Sequence, residues 1–129
     1  MRLLLDTHVL LWWLRDDARL RPRARALIAD SGVEVLVSIA SAWEVSVKHR
    51  LGKLPESGAC VVSEAVAEGF QVIPVEAAHV AALDALPRLG GHKDPFDHLL
   101  LAQAVAEGAA LMTDDHVMRR YGVRCIGVG

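Results

Sequence analysis

The chain has 129 residues, 53% hydrophobic and 23% charged, with a formal net charge of −2. That composition excludes a disordered chain, and one domain of this size buries roughly two-thirds of the surface its unfolded form exposes. The charge excludes a bulk basic signature for nucleic acid, and no run of ~18 uncharged apolar residues marks a membrane span. Cys60 and Cys125 stand far apart without a CxxC pair, so they read as small apolar residues of a reducing, cytoplasmic compartment. Met1 to Leu5 opens like a signal peptide, but Asp6 breaks the run and no small-residue cleavage site follows.

In chain order, Leu3-Leu4-Leu5 is a short apolar run that predicts a buried strand, and Val9 to Leu14 a first helix. A second helix opens at Pro22 and stops before Ser31-Gly32. Glu34 to Val37 predicts a strand, and Ser38 to about Arg50 a helix closed by Gly52. Ala59 to Glu68 predicts a helix closed by Gly69, Gln71 to Val75 a strand, and Glu76 to Leu86 a helix stopped by Pro87. After a loop with Gly90-Gly91, Pro95 starts the most hydrophobic helix, which runs to Gly108 and implies a central position. Ala109 to Thr113 predicts a strand, Asp115 to Tyr121 a short helix and Val123 to Val128 a last strand. Strands alternating with helices imply one α/β domain over residues 1–129, a three-layer α/β/α sandwich around a parallel sheet of about five strands.

Asp6, Glu44, Asp97 and Asp115 each fall where a predicted strand ends or a helix begins. Each has a structural explanation when taken alone. Asp6 suits an N-cap, and Ser41 to Glu44 fits a capping box. Asp94-Pro95 fits an N-cap and first helical residue with Asp97 in the first turn, and Asp114 or Asp115 suits the cap after Thr113. Together they carry a different meaning. Strand ends of a parallel sheet share one rim, and carboxylates gathered there repel unless a cation offsets them. Oxygen ligands favour Mg²⁺ or Mn²⁺ over zinc, and such ions suit phosphodiester hydrolysis. With the four acids neutralised, the net charge of −2 becomes +2.

Leu4-Leu5-Asp6-Thr7-His8-Val9-Leu10-Leu11-Trp12, then Ser41-Ala42-Trp43-Glu44 with Lys48 and Leu51-Gly52-Lys53-Leu54, resembles the PIN-domain family and within it the VapC-type toxins. His92-Lys93-Asp94-Pro95-Phe96-Asp97-His98 with its following helix is the most specific block, and Leu111-Met112-Thr113-Asp114-Asp115 completes the resemblance over nearly the whole chain. The resemblance implies a metal-dependent endoribonuclease that leaves a 5′-phosphate and a 3′-hydroxyl. It implies Asp6, Glu44 and Asp97 at a Mg²⁺ or Mn²⁺ site, with Asp115 or its neighbour Asp114 as the fourth acid. Thr113 would orient a carboxylate through its hydroxyl, and Asp94 would stand beside the site as an N-cap. It also implies a type II toxin paired with a VapB-type antitoxin, and a homodimer is expected.

Lys48, Arg50 and Lys53 read either as a solvated face or as an edge that grips RNA phosphates. Of the six histidines, His92 and His98 flank the acidic block and read either as substrate contacts or, chiefly, as solvated or capping residues, and His8 as a support for the site. Trp12 and Trp13 cannot share a helix face, so one is expected in the core and the other exposed for a partner. Phe70, Phe96 and Tyr121 read as core. Two rivals stand beside the nuclease. One is an enzyme forming an aspartyl-phosphate on Asp6, though Asp6-Thr7-His8 lacks the second aspartate of a DxD pair. The other is a catalytically silent PIN-like binding module whose acids only cap helices.

Overall fold

The computed structural model describes residues 1–129. Five parallel strands form one sheet: β1 (Arg2–Leu5), β2 (Glu34–Ser38), β3 (Gln71–Ile73), β4 (Ala110–Met112) and β5 (Cys125–Ile126), in the order β3-β2-β1-β4-β5. The helices are α1 (Thr7–Leu14), α2 (Pro22–Ala29), α3 (Ile39–Arg50), α4 (Gly58–Ala67), α5 (Ala77–Asp84) and α6 (Pro95–Ala106). The expected parallel α/β sandwich is the observed one. No helix is long and apolar enough to cross a membrane.

Side chains alternate across the sheet, and that alternation builds two cores. Leu3, Leu5, Val35, Val37 and Met112 face α1, α2 and α4, meeting Leu10, Ile28 and Val61. Leu4, Leu36, Ile73 and Leu111 face the other way, onto Leu100 and Leu101 of α6 and onto Met118 and Tyr121. The central strands β1, β2 and β4 are apolar on both faces over residues 3–5, 35–37 and 110–112 because both faces are covered. The packing of α3 on α4 turns on one missing side chain. A Cβ at Gly58 would lie 2.2 Å from both the Ala42 carbonyl oxygen and Ser46 Oγ, and the Gly58 N–H donates to that hydroxyl at 3.0 Å.

Several local expectations need correction. β3 ends at Ile73, two residues early, because Pro74 has no N–H for the ladder. The helix expected over 115–121 is a single 3-10 turn, Met118–Tyr121, closed by Gly122 at φ 75°. The Ser41–Glu44 capping box does not form. α3 begins where the helix is expected, with Ser38 as N-cap accepting from the Ala40 N–H, so Ser41 and Glu44 lie inside the helix. The spacing fits a cap, but the true cap is the last residue of β2.

Candidate active site

Leu5 of β1 pairs with Met112 of β4, so the next residues, Asp6 and Thr113, emerge together at the carboxyl ends of adjacent strands. Strand order reverses at that point, which opens a crevice. Asp6 occupies the N-cap position of α1, yet its side chain makes no capping bond. Its Oδ2 instead accepts from Thr113 Oγ1 at 2.7 Å. The Thr113 hydroxyl also accepts from the Asp115 N–H at 3.0 Å, and Asp115 Oδ1 accepts from the Val117 N–H at 2.9 Å. One hydroxyl thereby ties two acids together.

The third acid comes from α6. Asp94 caps that helix as expected, accepting from the Phe96 and Asp97 N–H groups at 2.9 and 3.3 Å. This fixes Asp97 in the first turn, aimed at the β1–β4 rim. One ligand atom each from His92, Asp97 and Asp115 lies within 4.8 Å of the others. Asp6, Asp94, Asp97, Asp114 and Asp115 share a cleft of about 440 Å³, with His8, Trp12 and Arg19 completing its wall. Both Asp114 and Asp115 reach the cleft, but only Asp115 is held by Thr113.

Glu44 is placed differently. It is 3% exposed, sits behind the cleft wall and has both oxygens engaged. Thr7 Oγ1 donates to Oε1 at 2.7 Å, and Lys48 Nζ donates to Oε2 at 2.8 Å one helical turn on. Ser41 Oγ lies 2.9 Å from the same Thr7 hydroxyl. Lys48 is thus the counter-ion of Glu44, while Arg50 and Lys53 are exposed and are not among the cleft-lining residues.

Burial raises the pKa of Asp6 above the ordinary carboxylate value; the Thr113 hydroxyl and His8 oppose the rise, and the Glu44 charge adds to it. Asp97 is pushed up to about 6, by burial first and then by the Asp6 and Asp94 charges, against its bond to His92. Lys48 is raised by its hydrogen bond to Glu44, with the charges of Asp94 and Asp97 adding to the effect. Burial, with neighbouring carboxylates adding to it, thus opposes ionisation of Asp6 and Asp97, an effect that a bound cation would offset.

Some residues of the site were not legible in sequence. His92 Nε2 lies 3.1 Å from Asp97 Oδ2 and its Nδ1 lies 2.8 Å from the Tyr121 hydroxyl, so it is a site residue and not a solvated one. His98 Nε2 joins the same group, 2.9 Å from the His92 carbonyl and 3.2 Å from the Tyr121 hydroxyl. Arg19, in the loop after α1, stacks over Trp12 at 5.0 Å and brings a guanidinium to the cleft. Neither tryptophan of the first helix is exposed, since Trp12 is 7% exposed and Trp13 packs on Phe70. The exposed one is Trp43, at 61%, in an apolar stripe with Ile39, Val47 and Leu51; it meets Phe96 edge-on at 5.0 Å.

This parallel sheet with acids gathered at its topological switch point defines the class. The chain belongs to the PIN-domain family, whose pattern its residues 3–123 match. It is 34% identical over 105 residues to "Ribonuclease VapC16" of Mycobacterium tuberculosis, an alignment covering 79% of this chain and 69% of that protein. The fold is similar to that of VapBC2 from Rickettsia felis bound to a promoter DNA fragment (TM-score 0.74, 15% identity, 98% of each chain). It is also similar to DNA-bound VapBC from Salmonella typhimurium (TM-score 0.73, 17% identity, 100% of this chain and 99% of that one).

Proposed function

We propose that the chain is a Mg²⁺- or Mn²⁺-dependent endoribonuclease, acting in the cytoplasm as the toxin of a type II pair. The observation that carries this reading is the convergence of Asp6, Asp97 and Asp115 on one cleft, with burial raising the pKa of Asp6 and Asp97. The donor set is carboxylate oxygen with a single imidazole, which suits a hard divalent cation better than zinc. Such an ion supplies Lewis acidity at phosphorus and a water of lowered pKa.

The chain's own residues do the rest. Asp6, Asp97 and Asp115 would hold the ion; the Thr113 hydroxyl donates to the Asp6 carboxylate and accepts from the Asp115 backbone N–H. Glu44, held by Thr7 and Lys48, contributes negative charge near Asp6, and its carboxylate would complete the metal shell or orient the attacking water if Lys48 released it. Arg19 lines the cleft and would take a phosphate oxygen; Lys48, bonded to Glu44 outside that lining, would join it only on release. In-line attack then leaves a 5′-phosphate and a 3′-hydroxyl. An aspartyl-phosphate on Asp6 is disfavoured because Asp6-Thr7-His8 carries no second aspartate two residues on to act as acid and base.

The similarity to a VapC ribonuclease supports pairing with a VapB-type antitoxin, whose basic side chain would complement the acidic cleft. The exposed α3 stripe around Trp43 supports a protein contact, which we assign to a homodimer. Incubation of the purified chain with single-stranded RNA tests the reading. Cleavage that requires Mn²⁺ or Mg²⁺ and stops with a chelator is expected; metal-independent cleavage, or none with any divalent ion, overturns it.

A further inference from the structure

A second cavity opens on the far side of His92 from the acids. It has a volume of about 360 Å³ and lies between the end of α5, the loop after it and the start of α6. Leu83, Leu86 and Leu89 supply its apolar wall, and His92, His98 and Tyr121 its aromatic wall. The three rings pack as a unit: His92 meets His98 edge-on at 4.9 Å and Tyr121 at 5.4 Å. Arg88 and Asp84, both exposed, complete the lining.

His92 lines this cavity, and its Nε2 lies 3.1 Å from Oδ2 of Asp97, which lines the acid cleft. The cavity and the acids are therefore joined through one side-chain contact. The cavity is of ligand-pocket size, at the small end of the usual range of about 300–1,000 Å³. Proteins that bind unpaired RNA stack bases on His, Tyr and other aromatic rings and read their edges with polar groups. Leucine walls, three rings and one donor and one acceptor make up that chemistry here.

We propose that this cavity receives the unpaired base of a nucleotide flanking the scissile phosphate and so sets where the RNA is cut. The proposal rests on the ribonuclease reading above. It adds a second contact point to the acids, one that selects for single-stranded RNA because a paired base cannot enter.

The test uses an oligoribonucleotide with one cleavage site and derivatives carrying an abasic ribose at each position flanking that site. With Mn²⁺ and the unmodified chain, base removal at one flanking position lowers kcat/KM by about 10-fold or more, mainly through KM. Leu86→Trp, which fills the cavity, cuts intact and abasic RNA alike while its Mn²⁺ binding by calorimetry stays within about twofold of the parent. Arg88→Ala, at an exposed position, reduces the discrimination at least about threefold and decides the matter if Leu86→Trp loses Mn²⁺ binding. Indifference of the parent to base removal at every flanking position overturns the proposal. So does full discrimination retained by a Leu86→Trp chain that binds Mn²⁺ normally, or by Arg88→Ala if Leu86→Trp does not. A parent with no metal-dependent cleavage overturns the ribonuclease reading itself, a failure distinguishable from those two.

Discussion

Thr113 and Asp6 are 107 residues apart in sequence, yet the Thr113 hydroxyl donates to Asp6 Oδ2 at 2.7 Å because β1 and β4 are neighbours in the sheet. That bond favours the charged form of a buried carboxylate and partly offsets the desolvation that raises its pKa. It also keeps the Asp6 oxygens oriented toward the cleft.

Thr113→Val removes the donor with little change in shape. Asp6 should become harder to ionise, and Mn²⁺ affinity should fall about 10-fold or more, the usual effect of losing a partner that orients a ligand. Thr113→Ser restores the hydroxyl and should recover most of the affinity. Isothermal calorimetry at pH 7 checks both, and equal binding by the Val and Thr chains contradicts the assigned role.

The pH dependence follows from Asp97, whose pKa rises from the ordinary 3.8 to about 6 on folding. A carboxyl with a raised folded value disfavours the native state once it must ionise. The cost is absent below the unfolded value and complete above the folded one. Metal-free protein should therefore gain stability as pH falls from 7 toward 4.5, by on the order of 2 kcal/mol from this group. Asp97→Asn should flatten that part of the profile, and chemical denaturation at several pH values measures it. Mn²⁺ at saturating concentration should raise Tm at pH 7 in the parent and not in Asp97→Asn.

Lys48 is the counter-ion of a glutamate that is 3% exposed. Lys48→Met leaves Glu44 buried without its cation, a loss of roughly 3–5 kcal/mol in comparable buried pairs and less here because Lys48 is itself part-exposed. Added Mn²⁺ should recover more stability in Lys48→Met than in the parent, because Glu44 is then free to face an ion. Thermal denaturation with and without Mn²⁺ reads the difference; an equal metal-induced shift would contradict the exchange of Lys48 for metal.

The fold responds to Gly58. Gly58→Ala places a methyl 2.2 Å from the Ala42 carbonyl oxygen, so α3 and α4 must separate. A loss of about 1–3 kcal/mol in urea unfolding is expected from such overpacking. An unchanged midpoint would show that the helices have room to shift.

Much of the fold was legible because it is written in local signals. Leu3-Leu4-Leu5 is apolar on both faces because both faces are buried, and Asp94-Pro95 marks a helix start by cap and by fixed φ. The Ser41–Glu44 spacing misled because a capping box depends on where the helix begins, and Ser38 had already capped it. His92, Arg19 and Trp43 escaped for another reason. Their roles depend on which distant elements pack beside them: His92 on Tyr121, Arg19 on Trp12, Trp43 on Phe96. No spacing within the chain carries that information. Among the acids, Asp6, Asp97 and Asp115 meet in the cleft, whereas Glu44 faces Thr7 and Lys48 behind it.

Cleavage of RNA by these acids through a divalent ion is the reading most open to measurement. Its most direct test measures the rate of RNA cleavage in Mn²⁺ by the parent, Asp6→Asn and Asp97→Asn, each first shown to be folded. Both substitutions keep the side-chain shape and remove a charge, so without divalent ions they should be as stable as the parent or slightly more so. Metal-dependent cleavage by the parent and a loss of at least about 100-fold in each variant are expected. Undiminished metal-dependent cleavage by both variants would contradict that reading.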